Sequence, residues 1–150
     1  MKRILLYVLV LVALMFAPVK GANIGRLHPV EVVALYSENG QIIIKTDTDD
    51  KGIGNTPMAA LNDLQETTAG YVYLDTAEYL LVGEGAEWAV EELRPALRKG
   101  IKICKSDEGV ELKLAAKFLP VHSTLPQLKD WKLGDNLPKL TRIDSRLKIS

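Results

Sequence analysis

A chain of 150 residues that is 47% hydrophobic and 25% charged is the size of one domain, and it is too apolar to stay disordered. Its 19 basic and 19 acidic side chains give zero formal net charge, which argues against nucleic acid as a partner. A single cysteine excludes an intramolecular disulfide.

Lys2-Arg3 precede an apolar run from Ile4 to Val19, and Lys20-Gly21-Ala22 follow it. A basic start, an apolar middle and a small-residue exit make a secretory signal. Val19 and Gly21 suit the two small-residue positions, so cleavage is expected after Gly21. The run is shorter than the ~20 residues that a spanning helix needs. An uncleaved anchor is the alternative, and it would keep the chain beside the membrane. Either way residues 22–150 are expected outside the cytoplasmic membrane, as a core domain over 22–119 and a wrapping segment over 120–150 that ends in a strand. Without residues 1–21 the chain keeps 16 basic and 19 acidic side chains. Residues 22–119 hold 10 basic and 16 acidic ones, and residues 120–150 hold 6 and 3. The body is acidic and the tail basic.

Asn23 to Pro29 is a lead-in. Val30–Tyr36 and Gln41–Thr46 are rich in β-branched residues, and Asn39-Gly40 between them signals an antiparallel hairpin. Asp47–Asn55 reads as a polar loop. Asn55 or Thr56 then caps a helix with Pro57 at its first position. Met58, Ala60, Leu61, Leu64 and Thr68 form its inner side, and Gly70 is the expected stop. Tyr71–Leu74 is either extended or the helix's last irregular turn.

The centre of the pattern is a β-α-β passage. Glu78–Val82 is a buried strand, Gly83–Gly85 a break, Ala86–Lys99 an amphipathic helix, and Ile101–Cys104 the parallel return strand. At 100° per residue Ala86, Ala89, Val90, Leu93, Ala96 and Leu97 share one stripe. Pro95 falls on the outer face, where it should kink the helix. Trp88 lies outward as well. Val110–Leu119 fits a helix through Leu112, Ala115, Ala116 and Leu119, although Val110, Leu112 and Leu114 also alternate as in a strand; Ala115-Ala116 favours the helix. Three prolines, at 120, 126 and 138, keep residues 120–140 irregular. From Thr141 apolar and charged residues alternate, with Ile143, Ser145, Leu147 and Ile149 on one side of a half-exposed strand. The expected class is α+β: a mixed sheet with an N-terminal hairpin and βαβ units, ordered ββαβαβα plus a C-terminal strand, with helices mainly on one face.

Several residue types invite a chemical reading. Cys104 between Lys102 and Lys105 would be a nucleophile only with a lowered pKa, and a lone cysteine in a strand is more commonly a packed side chain. His28 and His122 lack metal-ligand spacing. Asp47, Asp49 and Asp50 before Gly52 resemble a calcium loop, but Lys51 occupies a ligand position and Met58 stands where a bidentate Glu belongs. Gly52–Pro57 leads from a strand into a helix as a phosphate cradle would, but it lacks a third glycine and a Walker lysine. No metal or cofactor is expected. Trp88 on an outward helical face, beside Pro95, suits a partner-binding anchor, unless the tail with Trp131 folds over it. Trp88, Pro95 and Trp131 are the candidate partner-binding residues.

Gly52-Ile-Gly-Asn-Thr-Pro-Met-Ala-Ala-Leu61 resembles the glycine-flanked entry to the first helix in the N-terminal domain of the spore-germination C-subunit lipoproteins. Tyr79-Leu-Leu-Val-Gly-Glu84, followed by Ala86, resembles that family's central strand and its exit. The likeness spans roughly residues 30–119 and rests on turns and packing, not on chemistry. Unlike family members, residues 1–150 hold no lipobox cysteine and are expected to form no further domain, and Asp75-Thr76 replace the Gly-His that precedes the family's central strand. The resemblance implies the fold, an extracytoplasmic address and a membrane-embedded or envelope protein as partner; it implies no catalytic residue. The sequence therefore reads as a non-enzymatic extracytoplasmic binding or structural domain. One alternative is a small secreted enzyme using Cys104 or His122. The other is an envelope-associated structural module with a basic tail.

Overall fold

The computed structural model describes residues 27–121 and 124–150. The expected signal segment and His122 lie outside the described residues, and among these no helix is long and apolar enough to cross a membrane. In chain order the elements are β1 (Leu27–Pro29), β2 (Val32–Glu38), β3 (Gln41–Thr46), β4 (Lys51–Gly54), α1 (Pro57–Thr67), β5 (Tyr71–Tyr73), β6 (Tyr79–Val82), α2 (Glu87–Leu93), β7 (Lys102–Ser106), α3 (Leu112–Phe118), β8 (Lys139–Ile143) and β9 (Arg146–Ile149).

The main sheet has seven strands in the order β4-β3-β2-β6-β7-β8-β9. Its middle, β2-β6-β7-β8, is parallel, and both ends turn back antiparallel. β1 and β5 form a separate parallel ribbon. The class is thus the α+β arrangement that the residue pattern implies. In the β2–β3 hairpin Asn39 and Gly40 hold φ of 51° and 79°. Positive φ at both positions gives the turn whose twist matches its strands.

The parallel middle is greasy on both faces because helices cover both. Val33, Leu35, Leu80, Val82 and Ile103 face α1 and α2, meeting Leu61, Leu64, Val90 and Leu93. Val32, Ala34, Tyr36, Leu81 and Cys104 face α3, meeting Leu112 and Ala115. Two of the three helices therefore share one face. Each fully buried Leu or Ile stabilises the fold by about 1.5–3 kcal/mol, so these two apolar layers hold the fold together.

Thr56 caps α1: its hydroxyl accepts the Ala59 N–H at 3.1 Å, with Pro57 at the first helical position. Met58, expected inside, is 41% exposed. The buried stripe runs through Pro57, Ala60, Leu61 and Leu64, and Met58 sits roughly 110° round from its centre. The expected Gly70 stop is reached early, because Thr68 leaves the helix in an extended conformation with its N–H on the Leu64 carbonyl.

Three further expectations need correction. The loop over 47–55 contains β4, paired antiparallel with β3. The helix expected over 86–99 ends at Leu93 and tightens into a 3-10 turn over Arg94–Ala96. Pro95 has no N–H to offer the preceding turn and its ring crowds that turn, so it ends the α-helix instead of kinking it. Leu97 is buried all the same. The terminal strand is a hairpin, β8 and β9, around Asp144-Ser145 at φ of 46° and 66°. Ile143 pairs with Arg146, and Arg142 with Leu147. The turn therefore puts Ile143 on the opposite face from Leu147 and Ile149. Ile143 is 52% exposed, whereas Leu147 is buried under the α3 layer.

Residues 124–138 run without a named strand and are tied to the β7 side of the sheet by backbone hydrogen bonds, one of them from Lys105 N–H to the Pro138 carbonyl at 2.8 Å. Ile103 donates to the Pro126 carbonyl at 2.9 Å, and Leu128 donates to the Ile101 carbonyl at 2.7 Å. Leu128 and Trp131 thereby enter the layer beneath α1 and α2.

Candidate functional site

Among the described residues, Cys104, the Asp47–Asp50 turn and the Gly52–Pro57 cradle serve the fold. Cys104 is fully buried, and burial pushes its thiol up to about 12. A thiol that stays protonated beneath a helix does not act as a nucleophile at neutral pH. Asp47 Oδ1 accepts the Glu31 and Val32 N–H groups at 3.1 and 3.2 Å, and Asp49 pairs with Lys113. These carboxylates shape a turn, and among the described residues no cluster of three His, Cys, Asp or Glu side chains could hold a metal. The space of the Gly52–Pro57 cradle is filled by α1. A Cβ on Gly52 would lie 2.1 Å from the Ala60 carbonyl oxygen, and one on Gly54 2.3 Å from the Ala60 nitrogen. Both glycines are there for contact between strand and helix, and they leave no room for an anion.

The three partner-binding candidates part company. Trp131 is only 4% exposed and belongs to the core. Arg94 secures it: Nη2 donates to the Trp131 carbonyl at 3.2 Å, and Nη1 to that of Leu128 at 2.7 Å. Glu91 holds the same guanidinium with two bonds, at 3.0 and 2.6 Å. The pairing draws the Glu91 carboxyl below its ordinary range and lifts Arg94. Trp131 was drawn inward because a tail with several leucines must pack on apolar surface, and it gives up a partner for its indole N–H, which is buried and unbonded among the described residues. Trp88 stays 49% exposed, so the tail does not fold over it. It stands one turn before Glu92, whose carboxylate accepts the Met58 N–H at 3.4 Å.

Pro95 is exposed and stands between two clefts. One, of about 240 Å³, is walled by Leu61, Gln65, Tyr71, Tyr73, Asp75 and Pro95. The other, of about 360 Å³, is more apolar and is walled by Glu91, Arg94, Pro95, Lys99, Leu128 and Lys129. The first has two aromatic rings at its mouth. Tyr71 is 57% exposed and Tyr73 42%, and their rings meet edge to face with centroids 5.4 Å apart. The strand between them is clamped. Gln65 donates to the Val72 carbonyl at 2.7 Å and accepts its N–H at 3.1 Å. With Val72 buried, the period of two leaves both tyrosines outward. The Tyr-Val-Tyr alternation was the available signal, obscured because β5 is only three residues long. The geometry suits capture of a side chain: a drug-sized ligand needs ~300–1,000 Å³, whereas a 240 Å³ notch beside two edge-to-face rings takes one ring or one proline. No family model, no curated protein and no solved structure matches this chain.

Proposed function

We propose that this chain is a non-enzymatic extracytoplasmic binding domain whose partner, a membrane-embedded or envelope protein, docks across Pro95. The observation that carries this reading is the exposed Tyr71–Tyr73 pair at the mouth of the notch that Pro95 closes. Aromatic rings fixed on a clamped strand give contact area with little entropy left to lose on binding, which is how interface anchors work. The signal-like start supplies the address, and the spore-germination likeness supplies the kind of partner. Burial of the Cys104 thiol weighs against the secreted-enzyme alternative. The cations of the β8–β9 hairpin speak for a second reading, an envelope-associated module with a basic tail.

The test is photo-crosslinking in the producing cell, with a photoreactive residue placed at Tyr73 or, as a control, at exposed Glu66. A discrete envelope-protein adduct from position 73 alone, lost in Tyr71→Ala, is expected. Equal adducts from both positions, or a mature chain recovered from the cytosol, would sink the proposal.

A further inference from the structure

We propose that the outer edge of β9 accepts an acidic, extended segment of a partner protein as an eighth strand of the sheet. Lys139 and Ser150 exchange both backbone hydrogen bonds, at 2.8 and 3.0 Å. Alternation along an antiparallel pair then aims the N–H and C=O groups of Leu147 and Ile149 away from β8. Among the described residues nothing bonds them there. A strand edge with unmet backbone groups is a template for another strand.

The side chains say which strand. Arg142, Arg146 and Lys148 make no ion pair among the described residues, and Asp144 is the hairpin's one carboxylate. Lys139 is already committed to Asp107 at 2.8 Å. Arg146 and Lys148 share a face with exposed Ile143 and, with Asp144 and Leu147, border an open hollow. Leu147 and Ile149 continue the apolar layer on the other face. A strand laid alongside would therefore set acidic side chains against Arg146 and Lys148 and apolar ones against Leu147 and Ile149. The matching pattern is strict acid–apolar alternation. A second copy of β9 would bring the same cations against each other, which disfavours it. Residues 1–26 carry Lys2, Arg3, Lys20 and Arg26 and no carboxylate, so the chain's own leading segment lacks the matching charge.

The probe is a capped hexapeptide of alternating valine and glutamate, titrated into the full chain and followed by amide NMR. Leu147 and Ile149 amides should shift, and their exchange should slow at least about tenfold. Ile149→Pro removes an outward N–H and spares the bonds to β8, so it should abolish binding. Arg146→Glu combined with Lys148→Glu leaves the backbone intact and should weaken binding at least about tenfold; it decides the matter should the proline variant not fold. The proposal is overturned by no binding at about 1 mM peptide, by undiminished binding to these variants, or by shifts confined to Tyr71 and Tyr73. Sedimentation showing β9 buried in a homodimer would also overturn it. Long-chain polyphosphate that binds wild type and Ile149→Pro equally, where the peptide does not bind, would assign the face to anionic polymers instead.

Discussion

The sheet ends in two outer strands that are treated in opposite ways. β4 is sealed by its own helix. Asp63 Oδ2 takes the Ile53 N–H at 2.8 Å, and the Thr67 hydroxyl donates to the Lys51 carbonyl at 3.3 Å. Gly52 and Gly54 let α1 lie directly on the strand. β9 has no helix beyond it, and among the described residues its outward backbone groups have no partner. Only the charges of Arg146 and Lys148 protect it. Sealing an edge takes glycines that allow close approach and polar side chains spent on the backbone. An edge guarded by charge alone remains usable by a strand of opposite charge. The comparison therefore separates a strand built for stability from one available for recognition.

The largest effect should come from breaking the sealed side. Gly52→Ala places a methyl 2.1 Å from the Ala60 carbonyl oxygen. Backbone must move to relieve that contact, so a loss of about 3 kcal/mol is expected in urea unfolding. Lys148→Ala on the open edge should change stability by no more than about 0.5 kcal/mol. Equal losses at the two edges would mean that β4 is no more sealed than β9.

The same contrast explains what could be read from the sequence. The sealed half speaks in strong local signals. Asn39-Gly40 marks its hairpin, Thr56-Pro57 starts its helix, and Leu61 and Leu64 keep a helical stripe. β4 itself escaped because Lys51-Gly-Ile-Gly54 looks like a loop; only the helix lying on them shows why those glycines belong in a strand. The other half misled through phase. Alternation from Thr141 to Ile149 reads as one strand, yet Asp144 and Ser145, neither a glycine, turn the chain and carry Ile143 to the other face. The site divided similarly. Pro95 could be picked out because it falls on the outer face of a helical pattern, beside Trp88. Trp131 could not be placed, since an irregular segment gives no periodicity from which to infer burial. Tyr71 and Tyr73 were hidden in a strand too short to show its period.

A smaller effect would sharpen the comparison at a single hydrogen bond. Asp63→Ala leaves the Ile53 N–H without its acceptor while keeping the packing of α1 on the two glycines. Losing one charge-assisted bond in a solvent-accessible position should cost about 1 kcal/mol, and the Ile53 amide should exchange faster than in wild type. Unchanged exchange at Ile53 would show that α1 covers the edge by bulk and that the carboxylate adds nothing.

The smallest effect tests the hairpin that presents the open edge. Ser145 holds φ at 66°, a region that disfavours any residue with a Cβ, next to Asp144 at 46°. Glycine there removes roughly 1 kcal/mol of backbone strain, but it also gives the unfolded chain more freedom, which takes back part of the gain. The net for Ser145→Gly should be about 0.5 kcal/mol of added stability, visible as a rise in Tm of about 2 °C. The turn lies outside the proposed contact, since Leu147 and Ile149 supply the outward backbone groups. A firmer turn should therefore strengthen capture of the acidic peptide slightly, by holding those groups in register. A gain in stability with no gain in peptide affinity would indicate that β9 is already ordered in the free chain, leaving charge as the term that sets its affinity.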